Sequence, residues 1–259
     1  MGRQPLPSAS RAPLPTDPSM LPALPASFQA ALDPLLDALG IVLSPGVRAA
    51  IEAQARLLLA WNEAINLTAL RTPEKVALGH VADSLSALPM LHDLPRPGPD
   101  GLLDIGSGGG YPGLPLALAL PVRRVALVES TTKKARFLAV AAAAAGLALR
   151  DAGEEPPEID VLPERAEGLA ARAEHAARWP LVTARAVAGL PQLAELALPL
   201  LAPGGALLAW KSGGPQLDRE VAATRPVLGR LGGGEPRVHE VRLPGLEGHR
   251  VVVVPRSLS

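Results

Sequence analysis

The residues best equipped for chemistry lie in one run, Leu103-Asp104-Ile105-Gly106-Ser107-Gly108-Gly109-Gly110-Tyr111-Pro112-Gly113. Glycine reaches positive φ without strain and lets backbone approach a ligand closely. A strand entering such a turn and then a helix is where doubly wound sheets bind nucleotides. Gly108-x-Gly110-x-x-Gly113 fits the dinucleotide fingerprint, yet Asp104 opposes that ligand, because a carboxylate there faces a pyrophosphate at a helix N-terminus. S-adenosylmethionine carries no phosphate and ends in an ammonium, which suits Asp104 directly or through water. The alternative is a tight turn without a ligand. No Gly-Lys-Ser/Thr follows, so a Walker site is excluded. Glu129 lies 23 positions after Gly106, at the end of the next apolar run. It fits the acid that accepts two ribose hydroxyls, or else it is a solvated strand end. Ala166 and Glu167 follow a third apolar run, where an adenine could meet backbone groups. By pattern alone they begin a helix.

Arg185 and Lys211 end the fourth and fifth apolar runs, where open α/β sheets place their ligands. Each could bind the phosphate of a ligand there. The bland readings are an ion pair from Arg185 to Asp104 or Glu129, and a snorkelling Lys211. His80 and Asp83 stand three apart on one helical face. With Asn66 they either cap the pocket or contact RNA, or they tie the helical region to the sheet by hydrogen bonds. Trp61 reads as core. Five scattered histidines and no cysteine offer no metal-ligand spacing.

These residues need elements to hold them. Leu32, Leu35, Leu36 and Leu39, then Ile51, Ala55, Leu58 and Leu59, recur at helical spacing. Gly40 and Ser44-Pro45 separate the two helices, and a third runs from Thr72-Pro73 to about Leu91. Pro95 to Pro99 form a linker. Five short apolar runs follow, at Leu102–Ile105, Val125–Val128, Ile159–Leu162, Leu181–Ala184 and Gly205–Trp210. Helices are expected from about Lys133, Ala166, Pro191 and Gln216. Val238–Leu243 and Arg250–Val254 should close the chain as an antiparallel hairpin. Such alternation implies a mostly parallel seven-stranded α/β sheet with right-handed crossovers. The expected organisation is a disordered Pro-rich tail over 1–27, a helical N-terminal cap over 28–99 and a cofactor-binding domain over 100–259. Met20 is a candidate start.

Hydrophobic residues make up 48% of the chain, which excludes a disordered protein. The absence of cysteine excludes a disulfide scaffold. No apolar run reaches a membrane span and no secretory signal is visible, so a cytoplasmic protein without membrane contact is expected. Lys plus Arg and Asp plus Glu each number 25, and there are three Trp, one Tyr and two Phe. Zero net charge and few aromatics argue against nucleic-acid binding, but the zero hides a gradient. The net charge is −1 over 1–99, −2 over 100–180 and +3 over 181–259. The zero net charge therefore does not exclude a nucleic-acid ligand, and would give one only a modest, salt-sensitive affinity.

The chain resembles the RsmG, or glucose-inhibited division protein B, family of 16S ribosomal RNA guanine-N7 methyltransferases over about residues 28–254. The resemblance is carried by Trp61-Asn62-Glu63-Ala64-Ile65-Asn66-Leu67-Thr68, His80-Val81-Ala82-Asp83-Ser84, Leu103 through Pro115, Lys133-Lys134-Ala135-Arg136-Phe137-Leu138, Ala184 through Ala188, Trp210-Lys211-Ser212-Gly213 and His249 through Val253. It implies a Rossmann-like S-adenosylmethionine-dependent methyltransferase. The substrate would be 16S rRNA within the 30S subunit or an assembly intermediate, and the enzyme a monomer. The cofactor set it implies, with the readings above, is Asp104, Gly106, Gly108, Tyr111, Glu129, Ala166, Glu167 and Arg185. RNA-binding candidates are Asn66, His80, Lys133, Lys134, Arg136 and Lys211. Arg185 and Lys211 are expected to position the substrate, since N7 needs no general base. Competing readings are a small-molecule methyltransferase, a non-enzymatic ribosome-assembly factor and, weakest, an NAD-dependent oxidoreductase.

Overall fold

The computed structural model describes residues 13–93 and 101–258. Five apolar runs become the parallel strands β1 (Leu102–Ile105), β2 (Arg124–Val128), β3 (Glu158–Leu162), β4 (Trp179–Arg185) and β5 (Leu201–Ser212). Strands β6 (Arg237–Glu240) and β7 (His249–Pro255) form the closing antiparallel pair. The sheet order is β3-β2-β1-β4-β5-β7-β6, with β7 antiparallel to both neighbours. The order reverses between β1 and β4, so the crevice at their carboxyl ends is the expected ligand position. This is the Rossmann-like sheet that the alternation implied.

Both faces of the sheet are covered, which is why its strands are nearly continuous apolar runs. Side chains alternate between faces. Leu102, Val125, Leu127, Leu181 and Leu208 join one buried cluster, and Leu103, Ala126, Val128, Val182 and Leu207 join the other. The first cluster is covered by α5 (Gly113–Ala119), α6 (Thr132–Asp151) and the N-terminal helices α1 (Ala26–Leu39) and α2 (Pro45–Ile65). Helices α7 (Leu190–Ala197) and α8 (Pro215–Leu231) cover the second. The N-terminal helices therefore share a continuous core with the sheet. Ser44 caps α2 by accepting from the Val47 amide at 3.2 Å, with Pro45 in the first turn.

Four expectations change. Of the tail, residues 13–25 pack onto the helices: Leu14, Leu21 and Leu24 meet the core, and the Trp61 indole donates to the Pro15 carbonyl at 2.6 Å. Trp61 is accordingly core, 1% exposed. Residues 1–12 and the Pro95–Pro99 linker lie outside the described residues. The third helix is composite: α3 (Pro73–Val76), a π turn (Ala77–Ala82), α4 (Asp83–Leu85) and a 3-10 turn (Leu88–Asp93). The helix expected from Ala166 is only the 3-10 turn Ala166–Ala171. Its buried Ala166 and Leu169 are three apart, the eclipsed spacing of that helix. Finally, β5 outruns Gly205–Trp210 at both ends, pairing Leu201 with Trp179 and Ser212 with His249.

Candidate functional site

A cleft of about 220 Å³ opens at the β1/β4 switch point. Gly106, Glu129, Ala166 and Glu167 line it as expected, with Ser130, Glu164, Val187 and Gln192 beside them. The loop from β1 to α5 is pinned to β2, since the Ser107 amide donates to the Val128 carbonyl at 3.0 Å. Glu129 is 7% exposed and accepts from the Gly108 amide at 3.0 Å and the Thr131 amide at 2.7 Å. Gly108 thus acts by holding that carboxylate and does not line the cleft. Gly106 has φ +69°, and a Cβ there would stand 2.5 Å from Cγ2 of Val187. Only glycine meets both conditions.

Asp104 lies beneath the loop rather than in the cleft wall, and it is fully buried. Its Oδ1 accepts from the Thr183 hydroxyl at 2.7 Å, while Oδ2 has no partner among the described residues. Burial pushes its carboxyl up to about 6, against the Thr183 hydrogen bond and the Arg185 charge. A direct contact with a ligand, one of the two routes expected for Asp104, is not open to it.

Tyr111 and Arg185 are also withdrawn from this cleft. The Tyr111 ring is 4% exposed and stacks on His80 at 4.5 Å between centroids, with the planes 10° apart. Its buried hydroxyl has no partner among the described residues, and burial raises its pKa above the usual phenol value. Arg185 pairs with neither Asp104 nor Glu129. Its Nη1 donates to Oδ2 of Asp83 at 2.8 Å and to the Gly79 carbonyl at 3.0 Å, and its Nη2 donates to Nδ1 of His80 at 2.7 Å. The π turn adds a residue to one helical turn, as such turns do at functional sites. It carries His80 and presents Asp83 immediately after it.

His80 must accept at Nδ1 from arginine, so its hydrogen sits on Nε2 and is donated to the Thr68 hydroxyl at 2.7 Å. Burial first, and then the Arg185 charge, push its pKa down to about 3 from 6.5. A histidine depressed by folding contributes stability that is complete above about 6.5 and is lost as pH falls toward 3. Relative to His80→Gln, wild-type protein is expected to lose more unfolding free energy as pH falls from 7 to 4. Parallel urea titrations check this, and equal slopes would refute it.

A second cleft, of about 280 Å³, lies on the other side of the Arg185–Ala186 corner. Asp83, Arg185, Trp210, Lys211, Ser212 and His249 line it. Ala186 has φ 56°, a left-handed conformation that costs a non-glycine residue about 1–2 kcal/mol. The turn it makes places Arg185 toward the second cleft and Val187 toward the first. Asp83 is central: its Oδ1 lies 3.0 Å from Nδ1 of His249, and its carbonyl accepts from the Trp210 indole at 2.8 Å.

Lys211 is not the free cation expected from its position. Its Nζ donates to Glu220 at 2.8 Å and to the Ala188 carbonyl at 2.6 Å, and its side chain is 13% exposed. Glu220 also accepts from the Leu190 amide at 2.8 Å, so the pair clamps the loop after β4. Asn66 is exposed, ending α2 at φ 51°. Lys133 and Arg136 are exposed and Lys134 half-buried in the first turns of α6. No acid occupies the first turn of α6. Cations there oppose the helix dipole, so local stability does not explain them. Asp83 and His80 tie the helical region to the sheet by hydrogen bonds, one of the roles expected for them, whereas Thr183, Ser212, Glu220 and His249 carry no local signal in the sequence. Thr183 and His249 find their partners far away along the chain, 79 residues off at Asp104 and 166 residues off at Asp83. Among the described residues no group of His, Asp or Glu could hold a metal, and no helix is long and apolar enough to cross a membrane.

Residues 48–233 match the sequence model of the family GidB, rRNA small subunit methyltransferase G. The chain belongs to this family. A ribosomal RNA small subunit methyltransferase G of Roseiflexus sp. strain RS-1 is 42% identical over 77% of this chain and 79% of its own length. That of Sorangium cellulosum is 41% identical over 87% of both chains. Among solved structures, a chain from the complex of the Haloferax volcanii Trm112 methyltransferase activator with its candidate methyltransferase aligns at a TM-score of 0.50. It is 12% identical and covers 77% of this chain and 97% of that one, a likeness of fold alone. Membership of the GidB family makes the chain a methyltransferase that uses S-adenosylmethionine, as the glycine loop and Glu129 anticipated.

Proposed function

We propose that the protein methylates N7 of a guanine in 16S rRNA, acting as a cytoplasmic monomer on the 30S subunit or an assembly intermediate. The observation that carries the reading is the pair of adjoining clefts at the β1/β4 switch point in a member of this rRNA methyltransferase family. The donor set suits the cofactor. Glu129 retains lone pairs for ribose hydroxyls, and Ala166 and Glu167 flank the place of an adenine. The unpartnered Oδ2 of Asp104 supplies negative charge beneath the glycine loop. About 220 Å³ is small beside typical ligand pockets of about 300–1,000 Å³, so the cleft takes the nucleoside end.

When bound, S-adenosylmethionine supplies a methyl group on a sulfonium. Guanine N7 carries an in-plane lone pair and would lose no proton on taking the methyl, while the cofactor sulfur would leave as a neutral thioether, so the residues need only orient the base and exclude water. The purine gains positive charge as the bond forms. Asp83 neutralises Arg185 beside the second cleft, so the guanidinium does not oppose that charge. Lys133, Lys134, Arg136 and Asn66 form the RNA-facing surface, and phosphate contacts of this kind give salt-sensitive affinity. The Lys211–Glu220 clamp holds Val187 and Ala188 against the cofactor. Glu220→Ala is expected to weaken S-adenosylmethionine about tenfold, or about 1.4 kcal/mol, by calorimetry.

The test uses 30S subunits and naked 16S rRNA from a strain lacking the gene. With tritiated S-adenosylmethionine, label should enter a single guanine, and more readily in the particle. Mass spectrometry of digested RNA would show 7-methylguanine. Absence of label from both substrates would overturn the reading.

A further inference from the structure

We propose that His249, held by Asp83, reads the N1–H edge of the target guanine, and that Ser212 assists it. The inference rests on the guanine-N7 reading above. A guanine whose N7 faces the cofactor turns its N1–H and 2-amino donors to the opposite side. The second cleft must therefore supply acceptors. Most of its polar side chains cannot: Arg185, Lys211 and Trp210 are donors only. Asp83 is 1% exposed, with one carboxylate oxygen on Arg185 and the other on His249. Two acceptors remain. Nε2 of His249 and Oγ of Ser212 have no hydrogen-bond partner among the described residues. The His249 side chain is 43% exposed and Ser212 is exposed.

These two residues face one another across the sheet. Ser212 is the register partner of His249 in the β5–β7 ladder, and opposite residues project to the same face at about 4.5–5.5 Å between Cβ atoms. The His249 tautomer follows from its partner. Asp83 Oδ1, 3.0 Å away, accepts from Nδ1, so a neutral ring carries its lone pair on Nε2, toward the cleft. His80 is fixed in the opposite tautomer by Arg185, which donates to its Nδ1, and its Nε2 hydrogen is given inward to Thr68. The two histidines therefore do different work, and of the two only His249 offers an acceptor to the second cleft.

The contact also strengthens as reaction proceeds. Methylation at N7 leaves positive charge on the purine, which makes N1–H a better donor. An acceptor aimed there binds the transition state more tightly than the substrate, and so raises kcat rather than merely lowering KM. Adenine has a lone pair at N1 where guanine has a hydrogen, so the same acceptor rejects adenine.

The test is single-turnover methylation of 30S subunits carrying guanosine, inosine or adenosine at the mapped position. Wild-type, His249→Ala and Ser212→Ala enzymes would be compared, with S-adenosylmethionine affinity and urea stability measured on each. Inosine keeps N1–H and lacks the 2-amino group. Wild type should accept guanosine and inosine and discriminate against adenosine. His249→Ala should lower the rate about ten- to hundredfold on guanosine and inosine, with cofactor affinity unchanged, and should narrow the margin over adenosine by the same factor. Ser212→Ala should act mainly on guanosine, through the 2-amino group. A His249→Ala rate within twofold of wild type overturns the inference while the guanine-N7 reading stands, as does an equal loss on all three bases. Failure of wild type to methylate any guanine would instead sink that reading.

Discussion

Arg185→Met is expected to destabilise the protein by about 3–5 kcal/mol, the cost of leaving one member of a buried ion pair alone. Its side chain is 16% exposed and that of Asp83 only 2%. Removing the guanidinium strands the Asp83 carboxylate, the His80 ring and the Gly79 carbonyl together. Methyl transfer should fall by about 10²–10³-fold, as when one preorganised donor is deleted from an active site. Arg185→Lys keeps the charge but not the planar fork, and cannot satisfy three acceptors at these angles. The double variant Arg185→Met with Asp83→Asn removes both charges, so it should regain most of the stability and none of the activity. Urea unfolding and tritium transfer on the same preparations separate the two effects. Near-wild-type stability in the single variant would show that the pair contributes little to this fold.

Asp104→Asn should move stability and function in opposite directions. Folding raises this carboxyl from 3.8 to about 6. A raised acid leaves stability intact below its unfolded value, and stability is lost as pH climbs through the folded value. Two units correspond to about 3 kcal/mol as an upper bound. The asparagine variant without cofactor should therefore match wild type near pH 4 and exceed it by about 2–3 kcal/mol above pH 6. The Thr183 hydroxyl can still donate to an amide oxygen. Cofactor affinity should fall about 10–100-fold, because the ammonium loses the charge beneath the loop. Thermal melts from pH 4 to 8, with and without S-adenosylmethionine, check both halves. A variant less stable than wild type at pH 8 would contradict the first half.

How far the sequence was legible depended on the range of the interaction. Strand–turn–helix order is local. Leu102–Ile105, the glycine loop and Glu129 were placed correctly because short continuous apolar runs bounded by glycine clusters act over a few residues. Ser44-Pro45 marked its helix start for the same reason. The π turn at Ala77–Ala82 has no local signature, since tertiary contacts around Arg185 decide it. Tyr111 looked like a pocket ring by position, but only packing against His80 shows that it faces inward. Lys211 resembled a free cation because its acid partner lies nine residues on, across a strand-to-helix turn. Residues 13–25 differ from the expected disorder for a related reason. Their prolines disfavour a long α-helix but do not forbid packing, and the Trp61 indole supplies the anchor.

Asp83 gathers its partners from three remote places: the end of β4, the tip of β5 and the start of β7. No contiguous piece of the chain holds enough of this constellation to work. A nascent chain carrying every cofactor residue can already have its glycine loop and Glu129 in place, and yet it lacks the His249 face of the second cleft until β7 docks. Methylation competence is thus a report on complete folding. If His249 reads the guanine as proposed, a chain that ends before β7 is expected to transfer no methyl group to ribosomal RNA.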